Sequence, residues 1–368
     1  MKSYKLVDLN FSIDNQLNIS SIDNELNTYL KAKNDTDEII FKIVDSIPER
    51  NSQYTKVSNM YVAKDSLYIS NFPFEIKIEN KSGIWTVWVA LKKNLNQLEK
   101  VYQLAYFNKF LHPTYKSTDE TYGADFMYKI FLPLIQLKLV EHGSSFVHSS
   151  AISLDDKAIL FTSWGGIGKT TTLLKLLLTH KDIKFLSDDM AVLGSDGKVY
   201  LSAKYLHIYP YNWMGFSKLK EIAYNKRGLV DKLNWKFWGI FRGKAVCRRM
   251  PPSELFPDQI ADSSTLDKIF FLRRRNVKSI TSRKPDNTVD IIKTMSYIVF
   301  SEYKFFHNEM LLAVSAGCEI FPGPEDFIKN VEKNLTKQIS GKDLEIVDIP
   351  YKATPDDLYR FMSSRLLS

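Results

Sequence analysis

The chain has 368 residues, 44% of them apolar and 25% charged, with 15 glycines and 13 prolines. This is ordinary globular composition, which excludes disordered, collagen-like and low-complexity classes, and the length suits two or three domains of ~150 residues. The net charge is +8, and two cysteines, Cys247 and Cys318, are too few for a disulfide framework.

No apolar run reaches the ~18–20 residues of a membrane span. The best stretch, Phe126–Val140, is interrupted by Lys129, Pro133, Gln136 and Lys138. Asp8 and Asp14 stand where a signal peptide would carry its apolar core, and no CxxC or HExxH spacing offers a metal site. The expectation is a reduced, cytoplasmic protein without a transmembrane span.

In chain order, the first ~115 residues read as short strands between polar turns. Alternation over Tyr4–Ile13 is followed by β-rich segments at Ile39–Val44, Tyr54–Ala63, Ser66–Ser70 and Phe74–Glu79. Lys81-Ser82-Gly83 then turns into Ile84–Leu91. A β-rich N-terminal domain is expected over 1–115. Asn94–Phe110 and Ala124–Glu141 have helical spacing, the second stopping at His142-Gly143. Ser145–Leu154 and Ala158–Thr162 read as strands about the tight turn Asp155-Asp156-Lys157. A Leu-rich helix at Thr171–His180, a strand at Ile183–Leu186 and a hairpin of Met190–Leu193 with Val199–Leu201 follow. Later come strands at Lys268–Leu272 and Leu344–Ile349 and helices at Pro324–Gln338 and Asp356–Leu367. This alternation predicts an α/β core over 116–368.

The chemistry concentrates between strand and helix at Ser163-Trp164-Gly165-Gly166-Ile167-Gly168-Lys169-Thr170. Glycines let successive N–H groups turn inward, the helix start adds positive potential, and a lysine reaches the β- and γ-phosphates. With Thr171, these residues form the expected nucleotide-binding set. Thr170 places a hydroxyl on Mg²⁺. Ser163 stands where the strict pattern has glycine. Asp188-Asp189 closes the next strand, 19 and 20 residues beyond Lys169. A carboxylate pair beside a phosphate loop can divide labour, one holding metal and one accepting a proton from an attacking hydroxyl. His148 lies on the strand before the loop, where a short hairpin should bring it alongside the loop's mouth.

His148-Ser149-Ser150, the apolar Ala158-Ile159-Leu160-Phe161, Gly166-Ile167-Gly168-Lys169-Thr170 and Leu186-Ser187-Asp188-Asp189 together resemble the catalytic domain of the HPr kinase/phosphorylase family, related to the P-loop phosphoenolpyruvate carboxykinases. The resemblance spans about Gly143–Leu201. It implies an HPr kinase-like mixed sheet with helices, here preceded by the β-rich domain, and Mg²⁺-dependent transfer of phosphate from ATP or GTP to a hydroxyl. Carried over, Lys169 and Thr170 bind phosphates and metal, Asp189 is favoured as the base, Asp188 holds metal, and His148 joins the catalytic set. Two departures stand out: Thr171 replaces the family's acid, and the later Glu-x-Arg-Gly-type signature of phosphorolysis is absent. The expected acceptor is therefore an unidentified serine-like hydroxyl of a peptide, protein or metabolite rather than HPr. A non-catalytic nucleotide-binding regulator and a carboxykinase-like enzyme are the alternatives, and a homo-oligomer is compatible with the sequence.

Between Tyr211 and Met250, ten basic residues face two acids, so this segment carries the whole net charge. Aromatics such as Trp213, Trp235, Phe237, Trp238 and Phe241 are interleaved with them. A nucleic-acid patch, an interfacial helix, a substrate flap and a surface subdomain with inward aromatics all fit such a segment. The absence of a known binding module disfavours nucleic acid. The favoured functional expectation is a flap, with Lys244, Arg248 and Arg249 guiding an anionic acceptor. Arg248 and Arg273 are further candidates for neutralising transition-state charge.

Overall fold

The computed structural model describes the chain apart from residues 28, 33–35, 51, 52, 203, 215, 244, 245 and 368 and the side chain of Ala105. Its contacts divide it into two compact units. The first comprises residues 1–112, 116–142 and 303–330, and the second 113–115, 143–302 and 331–368.

The first unit holds a nine-stranded sheet of β1 (Lys2–Leu6), β2 (Leu9–Asn15), β3 (Leu30–Lys31), β4 (Ile39–Ile43), β5 (Thr55–Val57), β6 (Met60–Val62), β7 (Ser66–Asn71), β8 (Phe74–Lys81) and β9 (Ile84–Leu91). The spatial order is β3-β1-β2-β4-β9-β8-β7-β6-β5. Two expected strands are hairpins instead. The backbone reverses at Val7, with φ 57°, and at Ser58, with φ 55°, so the apparent alternation crosses a turn. The helices are α1 (Ser20–Leu26), α2 (Gln97–Tyr106), α3 (Thr118–Phe126) and α4 (Leu132–Glu141), the last two joined by a π-helical turn. Ser117 and Glu120 cap each other's backbone N–H groups, which starts α3 six residues before the expected Ala124.

Residues 116–142 and 303–330 pack with the first unit. The reason is apolar. Phe126 and Phe131 lie against Phe41 of β4, and Phe306 lies against Phe321, which meets Trp85 of β9.

The second unit is built on an eight-stranded mixed sheet: β10 (Ser145–Leu154), β11 (Lys157–Thr162), β12 (Lys184–Ser187), β13 (Met190–Leu193), β14 (Lys198–Tyr200), β17 (Ser263–Arg275), β18 (Thr281–Arg283) and β19 (Asp343–Pro350). A separate two-stranded pair is made by β15 (Leu206–Ile208) and β16 (Arg248–Met250). Its helices are α5 (Lys169–Thr179), α6 (Ser217–Lys220), α7 (Leu229–Arg242), α8 (Pro252–Leu255), α9 (Thr288–Glu302) and α12 (Pro355–Leu366), while α10 (Lys304–Ser315) belongs to the first unit and α11 (Pro324–Ile339) begins in the first and ends in the second. Antiparallel β10–β11 pairing continues into parallel β11–β17 and β17–β19 ladders. Leu173, Leu174 and Leu177 of α5 join a buried cluster with Ile152, Phe161 and Phe270 of the sheet and Leu358 and Met362 of α12. The loop at the start of α5 is thereby anchored on both sides. Among the described residues, no helix is long and apolar enough to cross a membrane.

Glu345 of β19 ties this sheet to α12. Its buried carboxylate is 2.7 Å from Lys268 Nζ and accepts hydrogen bonds of 2.8 Å at both oxygens from Arg365. Burial pushes its pKa up, but bonds from Lys268, Ser282 and Arg365 outweigh burial and hold it at about 2. The folded pKa therefore lies below the unfolded value of 4.5. The ionised carboxylate stabilises the fold above that unfolded value, and the contribution is lost as pH falls through about 2. Glu345→Gln is expected to flatten the decline of melting temperature over this acid range; an unchanged slope would remove Glu345 from acid stability.

Candidate functional site

The strand β11 feeds directly into the glycine-rich loop, and α5 begins at Lys169. Gly166 and Gly168 have φ of +79° and +110°, conformations that L side chains rarely adopt. A Cβ on Gly166 would meet nothing within 4 Å, so it is the backbone conformation and not space that asks for glycine there. Gly168 offers no side chain to cap α5, leaving the helix's first N–H groups for an external acceptor.

Lys169 is buried and bent back onto the loop. Its Nζ donates to the Ser163 carbonyl at 2.9 Å and to Ser163 Oγ at 3.1 Å, and it lies 3.5 Å from His148 Nε2. Burial lowers its pKa, against the raising effects of Asp189, Asp188 and Glu302. The serine in place of the pattern's first glycine thus contributes a hydroxyl that seats the lysine. Ser163 and Trp164, expected to bind nucleotide, are not among the cavity-lining residues; Ser163 is buried and Trp164 is half exposed.

Asp188 and Asp189 follow the end of β12 and face different partners. Ser150 Oγ donates to Asp188 Oδ1 at 3.2 Å, and the Thr170 hydroxyl also bonds this carboxylate. Burial first, and then the charge of Asp189, push the Asp188 pKa up to about 7. Asp189 Oδ1 is 3.0 Å from His148 Nε2, while Oδ2 pairs with Lys204 Nζ. Burial pushes Asp189 up, but Lys204 and His148 outweigh it and hold the carboxyl well below the usual range. His148 is carried by β10, whose neighbour Ser149 pairs with Thr162 at the last position of β11. Its Nδ1 lies 3.3 Å from Glu302 Oε1 without making a hydrogen bond.

His148, Lys169, Thr170, Asp188 and Asp189 all line one cavity of about 560 Å³. The lining also includes residues that the motif reading missed: Lys204, Tyr205, His207, Tyr209, Tyr211, Asn212, Arg274 and Pro355. Tyr209 and Tyr211 stack with ring centroids 5.1 Å apart, and burial raises the pKa of both. Asn212 Nδ2 donates to Thr171 Oγ1 at 2.8 Å, tying this part of the lining to α5. The residue that departs from the family's acid therefore serves as an anchor. A usable signal was present in Tyr205-Leu206-His207-Ile208-Tyr209, where polar-tipped and apolar residues alternate as on a half-buried strand.

Three arginine expectations are corrected. Arg273 pairs with Asp348 and does not line the cavity; its neighbour Arg274 does, held by the carbonyls of Pro350 and Ala353 at 2.6 and 2.9 Å. Arg248 is 1% exposed, with Nε donating to Asp231 Oδ1 at 2.7 Å and a terminal nitrogen donating to Asn234 Oδ1 at 2.8 Å. It cannot meet an acceptor there. Arg249 lies over the ring of Tyr205 at 5.1 Å and is not among the lining residues. Lys244 lies outside the described residues. The 211–250 segment reaches the lining through Tyr211 and Asn212, not through its described basic side chains, so its charge is not the expected flap over the cavity.

Breaking the buried Arg248–Asp231 pair strands a charge, which costs about 3–5 kcal/mol. Arg248→Gln is expected to lower stability on that scale in denaturant unfolding while leaving nucleotide affinity in the remaining folded protein unchanged. A fully stable variant with weakened acceptor binding would restore the discarded role.

No family model matches the chain, and no curated protein matches its sequence. Among solved structures, the HPr(Ser) kinase/phosphatase from Coxiella burnetii matches with a TM-score of 0.25 and 10% identity, over 61% of this chain and 97% of that one. The likeness to that fold is distant and says nothing of a reaction or an acceptor. The chain itself is a mixed α/β protein.

Proposed function

We propose that the protein is a kinase that transfers the terminal phosphate of ATP or GTP to a serine-like hydroxyl of a peptide, protein or small metabolite. The observation that carries this reading is the division of the two aspartates within one cavity: Asp188 faces Thr170, and Asp189 faces His148 and Lys204.

The donor set fits Mg²⁺. Hydroxyl and carboxylate oxygens are the hard ligands this ion takes. A half-buried carboxylate whose pKa is pushed to about 7 beside a second one is the electrostatic strain a cation relieves. Thr170 and Asp188 would hold the ion, which when bound neutralises charge on the β- and γ-phosphates. Among the described residues no group of three or more His, Cys, Asp or Glu could hold a metal, so the remaining ligands would be phosphate oxygens and water.

The chain's own groups then supply positioning. Loop N–H groups and the start of α5 cradle the phosphates, and Lys169 places its ammonium toward the β/γ end. Asp189, kept ionised by Lys204 and oriented by His148, accepts the hydrogen bond of the attacking hydroxyl and takes its proton as transfer proceeds. A loose phosphoryl-transfer transition state asks little of the base until late, so a low pKa is tolerable.

The same ion pair favours a second reading, a nucleotide-binding regulator without transfer, because a carboxylate held so far down is a weak proton acceptor. Measuring nucleoside diphosphate release with and without free serine and serine peptides separates the two. The kinase reading expects acceptor-dependent release and phosphorylated acceptor by mass spectrometry. Tight nucleotide binding with no transfer to any hydroxyl in copurified material would select the regulator.

A further inference from the structure

The helix α7 is turned inside out. Its buried residues include Asp231, Asn234 and Trp235, whereas Leu229, Val230, Leu233, Phe237, Ile240 and Phe241 are exposed. At ~100° per residue these six apolar side chains fall within about 120° of the helix circumference, one continuous stripe. Ile240 is 80% exposed and Leu229 73%, far beyond the scattered single apolar residues of a normal surface.

The roll of the helix has a definite cause. Arg248 donates to Asp231 and Asn234, Arg227 donates to Asp231 Oδ2 at 2.8 Å, and Trp235 lies under the Arg248 guanidinium at 4.5 Å. This network requires the polar side of α7 to face inward, so its apolar side faces out.

The charge around the stripe identifies what would cover it. Lys226, Lys236 and Arg242 are exposed and Lys232 partly so, while the one acid in the helix, Asp231, is buried and paired. On the same 100° wheel, Lys232 and Lys236 flank one edge of the stripe. A second copy of the chain would set this basic rim against its twin. Nucleic acid would meet four aliphatic side chains that neither stack nor bind phosphate. Apolar side chains bordered by lysines suit the boundary between acyl chains and anionic headgroups.

We infer that α7 is an interfacial helix that docks this protein on anionic lipid surfaces, its apolar stripe inserted among the headgroups and its lysines on their phosphates. The inference does not depend on the reaction proposed above.

Co-sedimentation of the full chain with two kinds of vesicle tests it, one pure phosphatidylcholine and the other with about one-third phosphatidylglycerol, near the charge of an anionic leaflet. Binding is expected to the anionic vesicles, weakening as salt rises. The exposed-site variant Leu233→Gln/Phe237→Gln/Ile240→Gln should reduce it at least ~10-fold with an unchanged melting temperature. Lys232→Gln/Lys236→Gln/Arg242→Gln should remove the preference for anionic lipid. Failure of the parent to bind either vesicle would overturn the inference. So would a parent dimer that the apolar variant dissociates, or an RNA complex that the apolar variant weakens in place of vesicle binding.

Discussion

Replacing Lys169 with alanine is expected to lower phosphate transfer at least ~100-fold, the scale of removing one preorganised electrostatic contact. The lysine Nζ rests on Ser163, buried and within 3.5 Å of His148, with its pKa lowered by burial. No other lysine or arginine lies in the loop from Ser163 to Thr170, so nothing in it can replace the ammonium. Steady-state diphosphate release gives the readout, with thermal unfolding as the control for an intact fold. Near-parent turnover in a folded Lys169→Ala protein would contradict the phosphate-loop reading.

The two aspartates should separate by role. Asp189→Asn is expected to leave nucleotide affinity within a few fold and to cut transfer by about 10²–10⁴, the range for losing a positioned base. Asp188→Asn should instead weaken Mg²⁺-dependent nucleotide binding and raise the metal concentration needed for turnover. It has a second signature that does not depend on activity. Above pH 7 the parent's Asp188 is ionised next to Asp189, in a site whose burial opposes charge. The neutral amide relieves that opposition, so metal-free Asp188→Asn protein should melt higher than the parent at pH 8, and the gap should close as pH falls below about 7. Equal metal dependence and equal transfer in both variants would reduce the pair to a polar strand end.

What was legible in the sequence is what is local in the chain. The β10–β11 hairpin, the glycine loop, α5 and the Asp188-Asp189 strand end lie within 60 residues and follow from periodicity and turn chemistry. Their short connections leave few ways to arrange them. The part of the lining contributed by residues 204–212 was not legible, because β15 is held by pairing with β16, a strand separated from it by α6 and α7. Lys204 sat outside the basic segment that composition had marked, and its partner Asp189 comes from a different strand end. Arg248 looked like one of many exposed charges. It is buried because Asp231 and Asn234, three residues apart on α7, present their side chains to the same side. Composition recorded the aromatics of that segment but not which face turns inward: Trp235 is buried and Phe241 is 68% exposed. The return of residues 303–330 to the first unit likewise depends on long-range packing of Phe306 and Phe321.

Calorimetric titration of ATP and of GTP, with and without Mg²⁺, into the parent protein and Lys169→Ala tests the central claim most directly. Saturable, Mg²⁺-dependent binding of at least one triphosphate to the parent, and its loss in the variant, is the expected result. Binding of neither nucleotide, or equal binding by both proteins, would contradict it.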